Sequence, residues 1–208
     1  MELKTFVCGP AQANVYLIWN KETLEAALID PGMGSEDVAA DAAQLGLKPK
    51  YIFNTHAHFD HTWLNAHYRR LWPFAKLVYH HLDEPLLDAS AEAAAMFGFP
   101  PPEASPHANE YCKDGGIYRL GREDLHVLHL PGHSPGSVGY LTSRGIFSGD
   151  VLFFRGIGRV DLPGGDEATL VRTIRERLYT LPPETTIFAG HGPLTTVRDE
   201  KQGNPYVS

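Results

Sequence analysis

The segment Thr55-His56-Ala57-His58-Phe59-Asp60-His61 constrains this chain more than any other. It sets four potential metal ligands directly behind an apolar run, Tyr51-Ile52-Phe53, that reads as a buried strand. In extended backbone successive side chains alternate faces, so His56 and His58 point the same way and can grip one ion. The chain then turns into a helix expected over 62–71, which aims Asp60 and His61 at a second point nearby. Imidazole and carboxylate are the usual ligands of zinc and related divalent ions.

The rest of the composition is that of a globular protein. The 208 residues, 43% hydrophobic and 21% charged, suit a single domain spanning 1–208 with a substantial core. Eleven histidines are many for this length. The formal charge is −7, with no basic run beyond Arg69-Arg70, which disfavours nucleic acid as a partner. Cys8 and Cys112 sit in no CxxC pair and read as incidental thiols. No apolar leader follows Met1 and no segment approaches the ~20 apolar residues of a membrane span, so the expected location is the cytoplasm.

Apolar runs at 3–7, 14–19 and 24–29, separated by turn residues, predict an opening meander. Ser35 is the expected cap of a helix that carries Val38, Ala42 and Leu45 and stops at Gly46. After the ligand segment come a strand at 76–79 and a short helix near Asp83. Residues 89–109 lose pattern, with a helix only at 91–96, and read as an excursion bordering the substrate site. Strands at 117–120, 125–130, 137–142 and 145–148 follow, antiparallel in character. Asp166 can cap a helix whose apolar face is Leu170, Ile174, Leu178 and Leu181. A last strand is expected at 186–189. Strands then helices, twice over, predict an α+β sandwich of two facing sheets with helices outside.

Three further loops share one signature: a strand end, a glycine, then a ligand type. They carry His133 in Pro131-Gly132-His133-Ser134-Pro135-Gly136, Asp150 in Ser148-Gly149-Asp150, and His191 in Gly190-His191-Gly192-Pro193. Loops at strand ends are where a rigid sheet brings distant residues to one point. His67, His80, His81, His107, His126 and His129 lie outside any such motif.

The order His56-x-His58-x-Asp60-His61, His133, Asp150, His191 resembles the metallo-β-lactamase superfamily. That resemblance implies a four-layer αβ/βα sandwich with metals at one edge of the two sheets. It implies that His56, His58 and His133 hold one metal ion, that Asp60, His61 and His191 hold a second, and that Asp150 bridges them. Two such ions about 3.5–4 Å apart lower the pKa of a shared water to about 7, which makes it the nucleophile. Asp60 and Asp150 are then the catalytic carboxylates. Ser134 and Ser148 lie in no G-x-S-x-G context and are read as supports of their loops.

An all-His/Asp set without cysteine is similar to the thioesterase and phosphodiesterase branches, and less like the lactam-hydrolysing zinc enzymes. The stretch from Phe147 through Gly158-Arg159-Val160-Asp161 and Pro163-Gly164-Gly165, with Gly190 to Pro193 and the closing Asn204-Pro205-Tyr206, resembles glyoxalase II-like hydrolases. The implied partner is a small-molecule acyl-glutathione or related thioester, and Arg155 and Arg159 are candidates to meet its carboxylates. Glyoxalase II proper continues into a helical domain that helps bind glutathione. The 17 residues from Gly192 to Ser208 are too few for one. The implied cofactors are two divalent ions, zinc first, with iron or manganese also compatible. Persulfide dioxygenases share the resemblance but use one iron, for which His56, His133 and Asp150 would be the two-His, one-carboxylate triad. The sequence leaves that alternative open.

Overall fold

The structure, a computed structural model, describes residues 1–207. The first sheet is six-stranded, in the order β1 (Glu2–Cys8), β2 (Ala13–Trp19), β3 (Glu25–Ile29), β4 (Lys48–Phe53), β5 (Lys76–His80), β6 (Glu110–Cys112). The expected meander is present, since β1, β2 and β3 pair antiparallel. From β3 onward the pairing is parallel, because each step crosses over through helical chain. Those crossovers hold α1 (Val38–Gln44), then α2 (Phe59–Thr62) and α3 (Asn65–Leu71), then α4 (Glu84–Asp88) and α5 (Ser90–Met96).

The second sheet contains β7 (Ile117–Leu120), β8 (Glu123–His129), β9 (Val138–Thr142) and β10 (Gly145–Gly149) as an antiparallel run. A two-stranded hairpin, β11 (Leu152–Phe153) with β12 (Gly156–Ile157), leads to α6 (Glu167–Thr173). A π-helical turn, Ile174–Leu178, prolongs α6. Then β13 (Thr186–Ala189) pairs parallel to β10, β14 (Thr195–Thr196) forms the edge, and α7 (Val197–Gly203) follows.

Strand alternation builds the layers. Tyr16, Ile18, Ala27, Ile29, Phe53 and Val78 face Tyr118, Leu125, Val127, Tyr140, Phe147 and Phe188 of the other sheet. Their neighbours Val15, Leu17, Leu28, Ile52 and Leu77 pack outward against Val38 and Ala42 of α1 and Tyr68 of α3. Ile146 and Ile187 pack outward against Leu170, Ile174 and Leu178. The result is helix, sheet, sheet, helix: the four-layer αβ/βα sandwich. Phe53 and Tyr140 lie at its middle, with ring centroids 4.5 Å apart.

Two local expectations change. Ser35 does not cap α1; its hydroxyl donates to the Gly32 carbonyl at 2.8 Å, closing the turn before the helix, and Asp37 stands at the cap position. The helix expected over 62–71 begins earlier and breaks, so Asp60 and His61 lie inside α2 while Trp63 and Leu64 separate it from α3. Asp166 caps α6 as expected, accepting from the Thr169 N–H at 2.7 Å. Among the described residues no helix is long and apolar enough to cross a membrane.

Candidate metal centre

Four strand ends open onto one edge of the sandwich. His56 follows β4, and His58 is the extended residue that starts α2. His133 lies in the loop from β8 to β9, Asp150 follows β10, and His191 follows β13. The last of these loops is sewn to the first sheet: the Asn14 N–H donates to the Gly190 carbonyl at 2.7 Å. Glycine is required at 190, since a Cβ there would collide with Asp150 Oδ1 and His61 Cε1.

All seven ligand-type residues expected at one point are brought together. The rings of His56, His58 and His133 form a triangle, with centroid distances of 4.8, 4.7 and 4.6 Å. Beside them, His61 Nε2 lies 3.1 Å from His191 Nε2, and Asp60 Oδ2 is 3.6 Å from the former and 3.3 Å from the latter. Asp150 stands between the groups. Its Oδ1 is 3.4 Å from His61 Nε2, and its Oδ2 is 3.8 Å from His133 Nε2 and 3.5 Å from His191 Nε2.

The second ring nitrogens explain how the imidazoles are aimed. His133 Nδ1 donates to the Arg159 carbonyl at 2.8 Å, and His191 Nδ1 to the Ala11 carbonyl at 3.1 Å. His61 Nδ1 donates to Asp30 Oδ2 at 3.2 Å. The Thr55 hydroxyl donates to the same oxygen at 2.7 Å, so it accepts from His56 Nδ1 at 3.0 Å. With Nδ1 engaged, each of these rings turns its Nε2 to the centre.

Sequence reasoning missed Asp30, which had only the look of a turn residue in Asp30-Pro31-Gly32. It is buried, sits at φ 54°, and also accepts from the Thr55 N–H at 2.7 Å. Its oxygens could complete a third ligand group with His56 and His61. The donors of Thr55 and His61 already occupy them, so Asp30 orients ligands and does not serve as one.

The electrostatics divide the centre. Burial first, then mutual repulsion among the histidines, holds His56 far below the ordinary imidazole range and His58 at about 4. Burial also takes His133 down to about 4. At His61 burial acts in the same direction, but the carboxylates of Asp60, Asp150 and Asp30 outweigh it and lift the ring to about 10. Burial opposes ionisation of Asp60, yet His61 and His191 keep it below the usual carboxylate range.

A divalent cation fits this arrangement. Nε2 of His56, His58 and His133 and Oδ1 of Asp150 are buried without a hydrogen-bond partner among the described residues. Leaving such groups unpaired costs about 1–3 kcal/mol each. Neutral imidazoles with free lone pairs on one side, and carboxylates that draw protons onto imidazoles on the other, are what a metal ion compensates.

The arginines sit differently. Both Arg159 guanidinium bonds go to Asp161, at 2.7 Å each, and the group lies over the Phe97 ring. The backbone carbonyl of Arg159 is what touches the centre, through His133. Arg155 turns toward α7, donating from Nη1 to the Asp199 carbonyl at 3.1 Å. The 89–109 excursion does border the centre: Phe97 and Phe99 each pack on Phe59, the neighbour of Asp60, at 5.7 Å. A cleft lined by Cys8, Met33, Phe59, Phe99 and Asp60 results.

Comparison with known proteins agrees with this geometry. Residues 8–191 match the Metallo-beta-lactamase superfamily. The chain is 38% identical to the probable metallo-hydrolase YqgX of Bacillus subtilis, over 100% of this chain and 98% of that protein. It is 36% identical to the hydroxyacylglutathione hydrolase GloC of Haemophilus influenzae, covering 95% and 93% of the two chains. It is 32% identical to human mitochondrial persulfide dioxygenase ETHE1, covering 93% of this chain and 70% of that one. Among solved structures, TTHA1623 in a di-iron-bound form superposes with a TM-score of 0.89 at 38% identity, over 98% and 100% of the two chains. With two ligand groups at one edge of a four-layer sandwich, a family match over residues 8–191 and a relative matched over 98% of its length, this chain belongs to the metallo-beta-lactamase superfamily.

Proposed function

We propose that the protein is a metal-dependent hydrolase that holds two divalent ions and cleaves a small thioester, of the acyl-glutathione type, to a thiol and a carboxylic acid. In this reading His56, His58 and His133 hold one ion, Asp60, His61 and His191 the other, and Asp150 meets both. The observation that carries it is the pair of separate three-residue groups, each with ligand atoms within 4.8 Å of one another, with Asp150 between them. Zinc suits the donors, as do iron and manganese. When bound, two such ions supply an activated water and stabilise negative charge developing on a carbonyl oxygen.

The chain's own residues do the positioning. Asp60 and Asp150 are the carboxylates of the reacting centre; Asp60, held ionised by His61 and His191, offsets metal charge and presents Oδ2 toward the shared space. The Phe59 and Phe99 rings pack together beside Asp60 and give that side of the centre an apolar wall. Arg155 and Arg159 are the candidates for substrate carboxylates. Arg159 would exchange its Asp161 partner for the substrate, and its backbone carbonyl already contacts the centre through His133. The thioester class is supported by the likeness to the hydroxyacylglutathione hydrolase GloC. Metal-loaded protein should hydrolyse lactoylglutathione or a related thioester; a panel of thioesters left intact would overturn the reading.

A second reading has its own support. His56, His133 and Asp150 also lie together as the two-His, one-carboxylate set of an oxygen-activating iron site, and one relative is a persulfide dioxygenase. Oxygen uptake by iron-loaded protein with glutathione persulfide would favour it over the hydrolase.

A further inference from the structure

Asp83 is fully buried, at 0% exposure, in the turn between β5 and α4. Neither its position before Glu84-Pro85 nor any motif marks it. Every partner it has is a donor. Its Oδ2 accepts from the Ala57 N–H at 3.0 Å and from the Ser134 hydroxyl at 2.7 Å, and its Oδ1 accepts from the Gly136 N–H at 2.5 Å. The Ser137 hydroxyl, 2.7 Å from Ser134 Oγ, closes the network by donating to it.

These donors are not scattered. Ala57 is the residue between His56 and His58, and Ser134 directly follows His133. One carboxylate therefore ties together the loop leaving β4 of the first sheet and the loop leaving β8 of the second. Those loops carry the three imidazoles whose Nε2 atoms are buried without a partner. The approach is close: a Cβ at Gly136 would stand 2.7 Å from Asp83 Cγ, so a larger residue would push the two loops apart. Asp30 has the matching position on the other side, holding Thr55 and His61. Asp83 reaches no ring. It acts on the backbone beside each ligand, and so sets the distance between the His56–His58 pair and His133.

We propose that Asp83 is the positioning residue that fixes the spacing of the His56, His58 and His133 group, and that metal affinity at this group depends on its two acceptor oxygens. The inference rests on the two-metal reading of the centre. Asp83→Asn keeps the shape but turns an NH2 toward donors, which leaves at least one of them facing another donor. Changes to groups that orient ligands typically weaken metal binding about 10–100-fold.

The experiment is a zinc titration of the full chain against a competing chelator, resolving both binding steps, on wild type, Asp83→Asn and Ser134→Ala. A urea midpoint for each metal-free chain is measured alongside. Asp83→Asn is expected to weaken one step about 10–100-fold and leave the other near wild type. Ser134→Ala, which removes one of three donors, is expected to weaken the same step by less, and keeps the test open if Asp83→Asn does not fold. The double variant should be no worse than Asp83→Asn alone, because both act through one network. Two affinities that stay unchanged, or fall together in step with the urea midpoint, would overturn the positioning role. One ion per wild-type chain would instead overturn the two-metal reading, and the Asp83 effect would then be read on that ion. No ion bound would overturn both.

Discussion

At the scale of single residues, the centre depends on nitrogen atoms pointing the right way. Thr55 links His56 to Asp30 through one hydroxyl that accepts from the ring and donates to the carboxylate. Thr55→Val keeps the shape and removes that link; metal affinity is expected to fall by about 10-fold or more with the fold intact, read by chelator competition. Arg159 tests the substrate side. Arg159→Ala should raise KM for a glutathione thioester with kcat little changed, because an exposed carboxylate contact is made equally in ground and transition states. A fall in kcat with unchanged KM would move its role from substrate binding to the centre. The seven ligand-type residues were legible in the sequence because histidine, aspartate and their flanking glycines mark themselves. Asp30 and Asp83 were not: Asp30 looks like a turn residue before Pro31 and Asp83 like the start of a helix before Glu84-Pro85, and what makes each matter is three donors supplied by distant chain.

At the scale of elements, the two sheets meet through aromatic side chains that alternate along their strands. Phe53 contacts Tyr140 and Tyr118, and Tyr16 contacts Phe147 and Phe188, across the layer between the sheets. Phe53→Ala should cost about 3–5 kcal/mol in a urea unfolding experiment, since the cavity it leaves is walled by both sheets. Most strands and both outer helix layers could be read from periodicity. The edge strand β6 could not, at three residues, and parallel pairing was invisible because it depends on which way the crossover returns. The helix α7 does carry a start signal in the sequence, Thr196 three residues before Asp199: the Asp199 N–H donates to Thr196 Oγ1 at 3.1 Å while the Thr196 hydroxyl donates to Asp199 Oδ2 at 2.8 Å.

At the scale of the whole molecule, burial of histidine couples stability to pH. Away from the centre, His80 stacks on His129 with ring centroids 4.5 Å apart, near His81 and Asp114. Burial, then repulsion from His129 and His81, takes His80 from the ordinary 6.5 down to about 4. Between those values the unfolded chain binds a proton that the folded chain refuses. The contribution is therefore complete above about pH 6.5 and is lost as pH falls toward 4. Urea midpoints of metal-free protein should decline across that window, and less steeply in His80→Phe. An equal decline in the variant would contradict the assignment to His80. In metal-free protein His56, His58 and His133 act with the same sign and His61, lifted by its carboxylates, with the opposite one, which is why the comparison with the variant is needed.

The central claim is that this edge of the sandwich holds two ions, with Asp150 between them. Elemental analysis of protein purified without added metal tests it most directly. Two divalent ions per chain, both lost in Asp150→Ala, are the predicted result. A single ion per chain, retained when His61 and His191 are replaced, would contradict it.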